Sequence, residues 1–148
     1  MTLLAVCLFI INGYAQKKLS DTAEIFPQGE KITNSNFNGT AYLKMLTNAD
    51  SINSIAVGNV SFEPKARTKW HLHPGGQILL VTDGVGYYQE KGKPKKILHK
   101  GDVIKCPPNI EHWHGASADD KMVHLAISDN DKGAVVWLQP VTDEEYDK

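Results

Sequence analysis

Two short stretches of this sequence gather the side chains able to do chemistry: Trp70-His71-Leu72-His73-Pro74-Gly75-Gly76-Gln77 and Pro107-Pro108-Asn109-Ile110-Glu111-His112-Trp113-His114. In extended backbone successive side chains alternate between faces, so His71 and His73 point one way and Trp70 and Leu72 the other. His112 and His114 form a second pair of the same kind. Imidazole nitrogens and an amide oxygen are suitable donors for a divalent transition metal, so His71, His73, Gln77 and an imidazole of the second stretch are a candidate metal site. A His-x-His pair alone is weak evidence, because surface strands carry such pairs without metal. The plainer reading is a buried polar network, in which Gln77 only hydrogen-bonds. What strengthens the metal reading is the joint pattern of histidines with Gly84, Gly101, Pro107 and Asn109.

The elements that must position these residues are β-strands. From Thr40 onward the chain is a series of short segments rich in β-branched and aromatic residues, with turn residues between them. Strands are expected near 41–46, 53–62, 70–73, 76–82, 85–91, 95–99, 102–106, 112–117, 121–128 and 134–139. Asp83-Gly84 predicts a hairpin, Lys100-Gly101-Asp102 and Asp129-Asn130-Asp131 predict turns, and Pro107-Pro108 ends a strand by removing two ladder donors. No long amphipathic helix is visible. The fold class is therefore all-β, a sandwich or barrel with the jelly roll among the possibilities. Residues 16–39, polar and broken by Pro27, Gly29 and Gly39, read as an extended arm, and 40–148 as the domain proper. Thr142-Asp143-Glu144-Glu145 fits a capping box for one short helical turn. Near 121–128, Met122, His124, Ala126 and Ser128 alternate with Val123, Leu125 and Ile127; a histidine among apolar neighbours favours the first set as the face with a polar task.

With 148 residues, 41% hydrophobic and 22% charged, the chain has enough length for one core. A formal net charge of -1 provides no pull toward nucleic acid or anionic lipid. The one local basic run, Lys91, Lys93, Lys95 and Lys96, reads as a solvated hairpin turn. Leu3–Ile11 is an apolar run too short to span a bilayer, followed by Gly13 and Ala15 and then polar sequence. Residues 1–15 read as a signal peptide and the mature chain as exported, periplasmic or secreted, with no membrane attachment after cleavage. The run lacks a basic segment before it; a buried N-terminal strand is the other reading. If Cys7 leaves with that peptide, Cys106 has no disulfide partner within the chain and reads as a small buried residue.

The two histidine stretches resemble the two motifs of the cupin superfamily. On that resemblance His71 and His73 match the first two metal ligands, Gln77 stands at the usual glutamate position, and His112 matches the last ligand; Gly84, Gly101 and Pro107 match turn positions. The fold implied is a single cupin-type jelly-roll β-barrel. Asn109 replaces a glycine, a tolerable change because Asn enters left-handed backbone more readily than other non-glycine residues. Trp70–Pro74, Gly76-Gln77, His112–Gly115 and the tail Val141–Tyr146 narrow the resemblance to cupins associated with carboxymuconolactone decarboxylase. That subgroup includes bacterial manganese-dependent hydroxynitrile lyases, whose site is three histidines and a glutamine. The match runs from about Ile25 to Tyr146. It implies manganese as the metal, with iron, nickel, cobalt or zinc as alternatives, and a substrate pocket containing Gly58, Val60, His114 and His124. Decarboxylation does not follow, because that label marks association and not chemistry.

A glutamine in place of glutamate leaves the metal's charge uncompensated by protein, making it a stronger Lewis acid. A small hydroxylated or carbonyl substrate is then expected to undergo lyase-type chemistry, with His124 as first and His114 as second candidate for general base. His114 reads equally as a residue orienting a ligand, and His124 as a satisfied interior histidine. His99 reads as solvated, and Trp70, Trp113 and Trp137 as core or interface residues. Two other functions remain open: a non-haem metal dioxygenase, and a non-catalytic exported module that binds metal or ligand. A homodimer is expected from the arm and the sheet-rich barrel.

Overall fold

The computed structural model describes residues 24–148. The apolar run Leu3–Ile11, Cys7 and the expected cleavage site lie outside the described residues. The chain forms β1 (Glu30–Lys31), β2 (Phe37–Asn38), β3 (Ala41–Thr47), β4 (Ile55–Phe62), β5 (Arg67–Thr68), β6 (His71–Leu72), β7 (Gln77–Glu90), β8 (Lys96–His99), β9 (Val103–Cys106), β10 (His112–Ala116), β11 (Met122–Asp129) and β12 (Val136–Trp137), then the helix α1 (Asp143–Asp147). The architecture is all-β, as expected: antiparallel strands curl round a core and one small helix closes the C-terminus. One wall runs β1-β3-β4-β11-β7-β9. The other runs β2-β5-β10-β7-β8, with β6 between β10 and β12.

The 14-residue strand β7 belongs to both walls. Its first half pairs with β11 and β9, its second with β10 and β8. Asp83-Gly84, expected to make a hairpin, does not reverse the chain. Register slips there between Val123 and His124 of β11, leaving Thr82 as an extra residue, the signature of a bulge. Gly84 has φ 75°. A Cβ there would lie 1.9 Å from the Lys121 carbonyl oxygen, so only glycine lets β7 bend from one wall into the other. The same Asp-Gly chemistry that closes a two-residue turn serves here to bend one continuous strand.

Inward-facing Phe62, Leu79, Leu98 and Met122 are at most 2% exposed and lead the core, each contributing about 1.5–3 kcal/mol by leaving water. Their alternation leaves an aliphatic row outside: Val57 and Ile78 flank Ile127, and Leu80 pairs with Leu125 and Val103. The segment expected as an arm is stitched to both walls, since β1 pairs with β3 and β2 with β5. A second cluster, Trp70, Trp113, Val141 and Tyr146, packs beneath α1. Thr142 caps that helix, accepting from the Glu145 N–H, while the Glu145 carboxylate accepts from the Thr142 N–H, the capping box expected. The Tyr146 hydroxyl donates to the Ala116 carbonyl at 2.9 Å. Cys106 is buried, and that burial pushes its thiol up to about 12, so it stays protonated.

Candidate metal centre and cavity

His71 on β6 stands directly opposite His112 on β10, with ring centroids 4.3 Å apart. His73 follows β6 and opens the turn His73-Pro74-Gly75-Gly76, in which the Gly76 N–H donates to the His73 carbonyl at 3.0 Å. Proline fixes the first corner of that turn, and Gly76, at φ 83°, releases the chain into β7 with Gln77 as its first residue. The Asn109 N–H donates to the same carbonyl at 3.0 Å, tying the second stretch to the first. Asn109 itself sits at φ 61°, the left-handed backbone its residue type tolerates. One donor atom from each of His71, His73 and His112 lies within 4.8 Å of the others. Gln77 Oε1 is 3.4 Å from His112 Nε2.

Protonation decides what this cluster can hold. His71 Nδ1 is 2.9 Å from the Lys69 carbonyl oxygen, and His112 Nδ1 is 2.9 Å from that of Ile110. A carbonyl only accepts, so each Nδ1 carries a proton and donates. Burial then holds both rings below the ordinary histidine range, with repulsion from His112 adding to the effect on His71, and the two carbonyls opposing it. Burial takes His73 down to about 4, helped by His112. All three rings are neutral at pH 7, leaving Nε2 of His71 and His112 as bare lone pairs. His112 Nε2 and Gln77 Oε1 thus face each other as two acceptors with no proton between them. Lone pairs at that separation repel unless a cation is shared, so these residues fit a divalent metal.

A cavity of about 270 Å³ opens beside the cluster. His71, His73, Gln77 and His114 form its polar end; Gly58, Val60, Leu43 and Ala126 form an apolar wall. A Cβ on Gly58 would lie 2.9 Å from Leu43 Cδ1, so its glycine keeps that wall open. His124 does not line the cavity. It is fully buried one layer behind, stacked on Phe62 with centroids 5.6 Å apart and meeting the His114 ring edge-on at 4.8 Å. Burial lowers His124 to about 4 and His114 well below the ordinary range, where neighbouring histidines depress it further. Among the described residues, His114 Nδ1 and both His124 ring nitrogens have no side-chain or backbone partner at hydrogen-bond geometry. The sequence placed His124 ahead of His114; the geometry places His114 at the cavity and His124 behind it.

Several residues of this site escaped the sequence reading. Trp137, expected in core or interface, lines the cavity and packs on His71 with centroids 4.8 Å apart. Phe37, from the segment read as an arm, reaches the same wall. Thr68 Oγ1 accepts from the His114 N–H at 3.2 Å. Ser128, opposite Gln77 in register, accepts from Gln77 Nε2 at 3.2 Å. The alternation of β11 put Ser128 on the histidine face, but nothing in the sequence pairs it with Gln77. His99 is exposed, as expected, and Trp70 and Trp113 are core.

Residues 58–128 match the model of the cupin domain family. The (R)-mandelonitrile lyase of Granulicella tundricola is 45% identical over 111 residues, covering 74% of this chain and 85% of that relative. This chain belongs to the cupin superfamily. A cupin-like protein from Thermotoga maritima, solved by crystallography, superposes with a TM-score of 0.81 at 50% identity, over 84% of this cupin and 95% of that chain. The acireductone dioxygenase of Schizosaccharomyces pombe is 30% identical over 82 residues, 52% of this cupin and 46% of the relative. A three-histidine cluster in a cupin barrel, in a chain with these relatives, fits a metal-binding protein.

Proposed function

We propose that this cupin is an enzyme that uses a divalent metal as a Lewis acid to make or break a carbon–carbon bond next to a hydroxyl or carbonyl group. The observation that carries the reading is the convergence of His71, His73, His112 and Gln77 lone pairs beside a largely apolar cavity. The 45% identical relative acts, by its name, on mandelonitrile, a hydroxynitrile, and supports the reaction class. Manganese is the metal we propose, with His71, His73, Gln77 and His112 holding it.

A divalent metal bound there would polarise the substrate oxygen and lower its proton affinity. His114, neutral at pH 7 and on the cavity wall, accepts the hydroxyl proton as the oxygen becomes a carbonyl and the carbon–carbon bond releases its electron pair to the leaving group. The imidazolium so formed is costly in a buried site, and His114 returns the proton to the departing carbanion. His124 backs His114 edge-on and holds its ring in place. Gly58, Val60 and Trp137 receive the substrate's apolar part and keep water from the reacting atoms.

The test is metal analysis followed by assay. Protein purified from its native compartment should carry about one divalent ion per chain, and loaded protein should cleave or form hydroxynitriles or aldols without consuming oxygen. Protein that stays metal-free under supplementation would exclude the reading. The acireductone dioxygenase relatives favour one alternative, a non-haem dioxygenase; Fe(II)-dependent oxygen uptake with a catechol or an enediol would establish it.

Two proposals concern the molecule's surroundings. The apolar run Leu3–Ile11 with Gly13 and Ala15 behind it supports export. The outward aliphatic row of Val57, Ile127, Ile78, Leu125 and Leu80 supports a homodimer, because an antiparallel sheet facing water normally alternates to polar residues there. Lys105 and Asp129 at its rim carry opposite charges suited to a two-fold partner.

A further inference from the structure

Gln77 is the one amide donor of the cluster, and an amide has a choice of faces. Its amide oxygen and nitrogen are nearly the same size, so a half-turn about the last side-chain bond exchanges an acceptor for a donor at the metal position. An N–H pair turned inward would oppose a cation and compete for the lone pairs of the histidines. His71 and His112 have no such freedom, since backbone carbonyls at 2.9 Å fix each Nδ1 as the protonated nitrogen. For the Gln77 amide nitrogen, the described residues provide one hydrogen-bond partner, Ser128 Oγ at 3.2 Å. Ser128 stands opposite Gln77 across the β7–β11 ladder, on the cavity side of both strands.

The geometry points to Ser128 as the positioning residue that lets a glutamine serve as metal ligand: it holds the amide nitrogen and thereby aims Oε1 at His112 Nε2 and the cluster. This inference rests on the metal-binding reading above. A carboxylate at position 77 would present an oxygen in either orientation and would depend less on Ser128, whose hydroxyl would then donate to it. The role of Ser128 is therefore conditional on the residue it faces, which a purely structural serine would not show.

The experiment measures Mn²⁺ affinity by competition with a fluorescent chelator, on full-length protein with circular dichroism to verify folding, for wild type, Ser128→Ala, Ser128→Thr, Gln77→Glu and the double variant Gln77→Glu/Ser128→Ala. The expected result is roughly tenfold weaker binding in Ser128→Ala, in line with the loss of a ligand's orienting partner. Ser128→Thr, which keeps the hydroxyl, should bind like wild type. Against the Gln77→Glu background the alanine should cost clearly less than it does beside Gln77. Equal affinity in Ser128→Ala and wild type, or the same loss in both backgrounds, would overturn the positioning role while leaving metal binding intact. A wild-type protein that binds no Mn²⁺ would overturn the metal reading and this inference together.

Discussion

At the scale of single residues, charge and lone pairs decide what the site does. Truncating His71 removes one of three converging imidazoles. His71→Ala protein should lose its bound metal in elemental analysis while keeping a native circular dichroism spectrum. Gln77→Glu cancels one unit of the metal's charge. That variant should bind Mn²⁺ more tightly yet turn over substrate more slowly, a split visible by comparing metal affinity with kcat. An equal or higher kcat would argue against Lewis-acid chemistry. His114→Ala should cost about 10²–10⁴-fold in kcat if that ring moves the proton. His124→Phe, which keeps a ring against Phe62 and His114, should cost far less; the reverse order would return the base role to His124.

At the scale of elements, Gly84 is the position on which the barrel turns. Gly84→Ala forces a Cβ against the Lys121 carbonyl at a left-handed φ. Urea denaturation should show a loss of roughly 2–4 kcal/mol, from backbone strain plus overpacking. Much of this architecture was legible beforehand. Alternation with a histidine on one side marked the inner face of β11, the double proline marked the end of β9, and Thr142 with Glu145 announced the capped helix. Asp83-Gly84 misled because a residue pair specifies local backbone, and a left-handed glycine serves a bulge as well as a hairpin. Very short pairings such as β2, β5 and β12 carry no period to read, so the strands bringing Phe37, Thr68 and Trp137 to the site were absent or unassigned to it. The candidate ligand positions could be named through the family's motifs. The Gln77–Ser128 contact could not, because it depends on the register of strands far apart in sequence.

At the scale of the whole molecule, the buried histidines make stability depend on pH. His124 is held at about 4 when folded, against about 6.5 in an unfolded chain. The unfolded state therefore binds its proton first. Stability is complete above about pH 6.5 and falls as pH drops toward about 4, by up to about 1.4 kcal/mol per unit for each such ring. Metal-free protein should show urea midpoints that decline steadily over that interval, and His124→Phe should flatten the decline. The proposed dimer has its own readout: Ile78→Asp, on the outer face and 39% exposed in the monomer, should shift the sedimentation coefficient to that of a single chain without lowering metal affinity. One consequence comes from β7 having membership in both walls. Gln77 sits where that strand is laced to β11 and β9, whereas His71 and His112 ride on β6 and β10 across the mouth. An ion gripping all of them would fasten the rims of the barrel to each other like a clasp. Chelation should then speed amide hydrogen exchange first at His71, Leu72 and the opening residues of β7, loosening the mouth while the far end of the barrel stays shut.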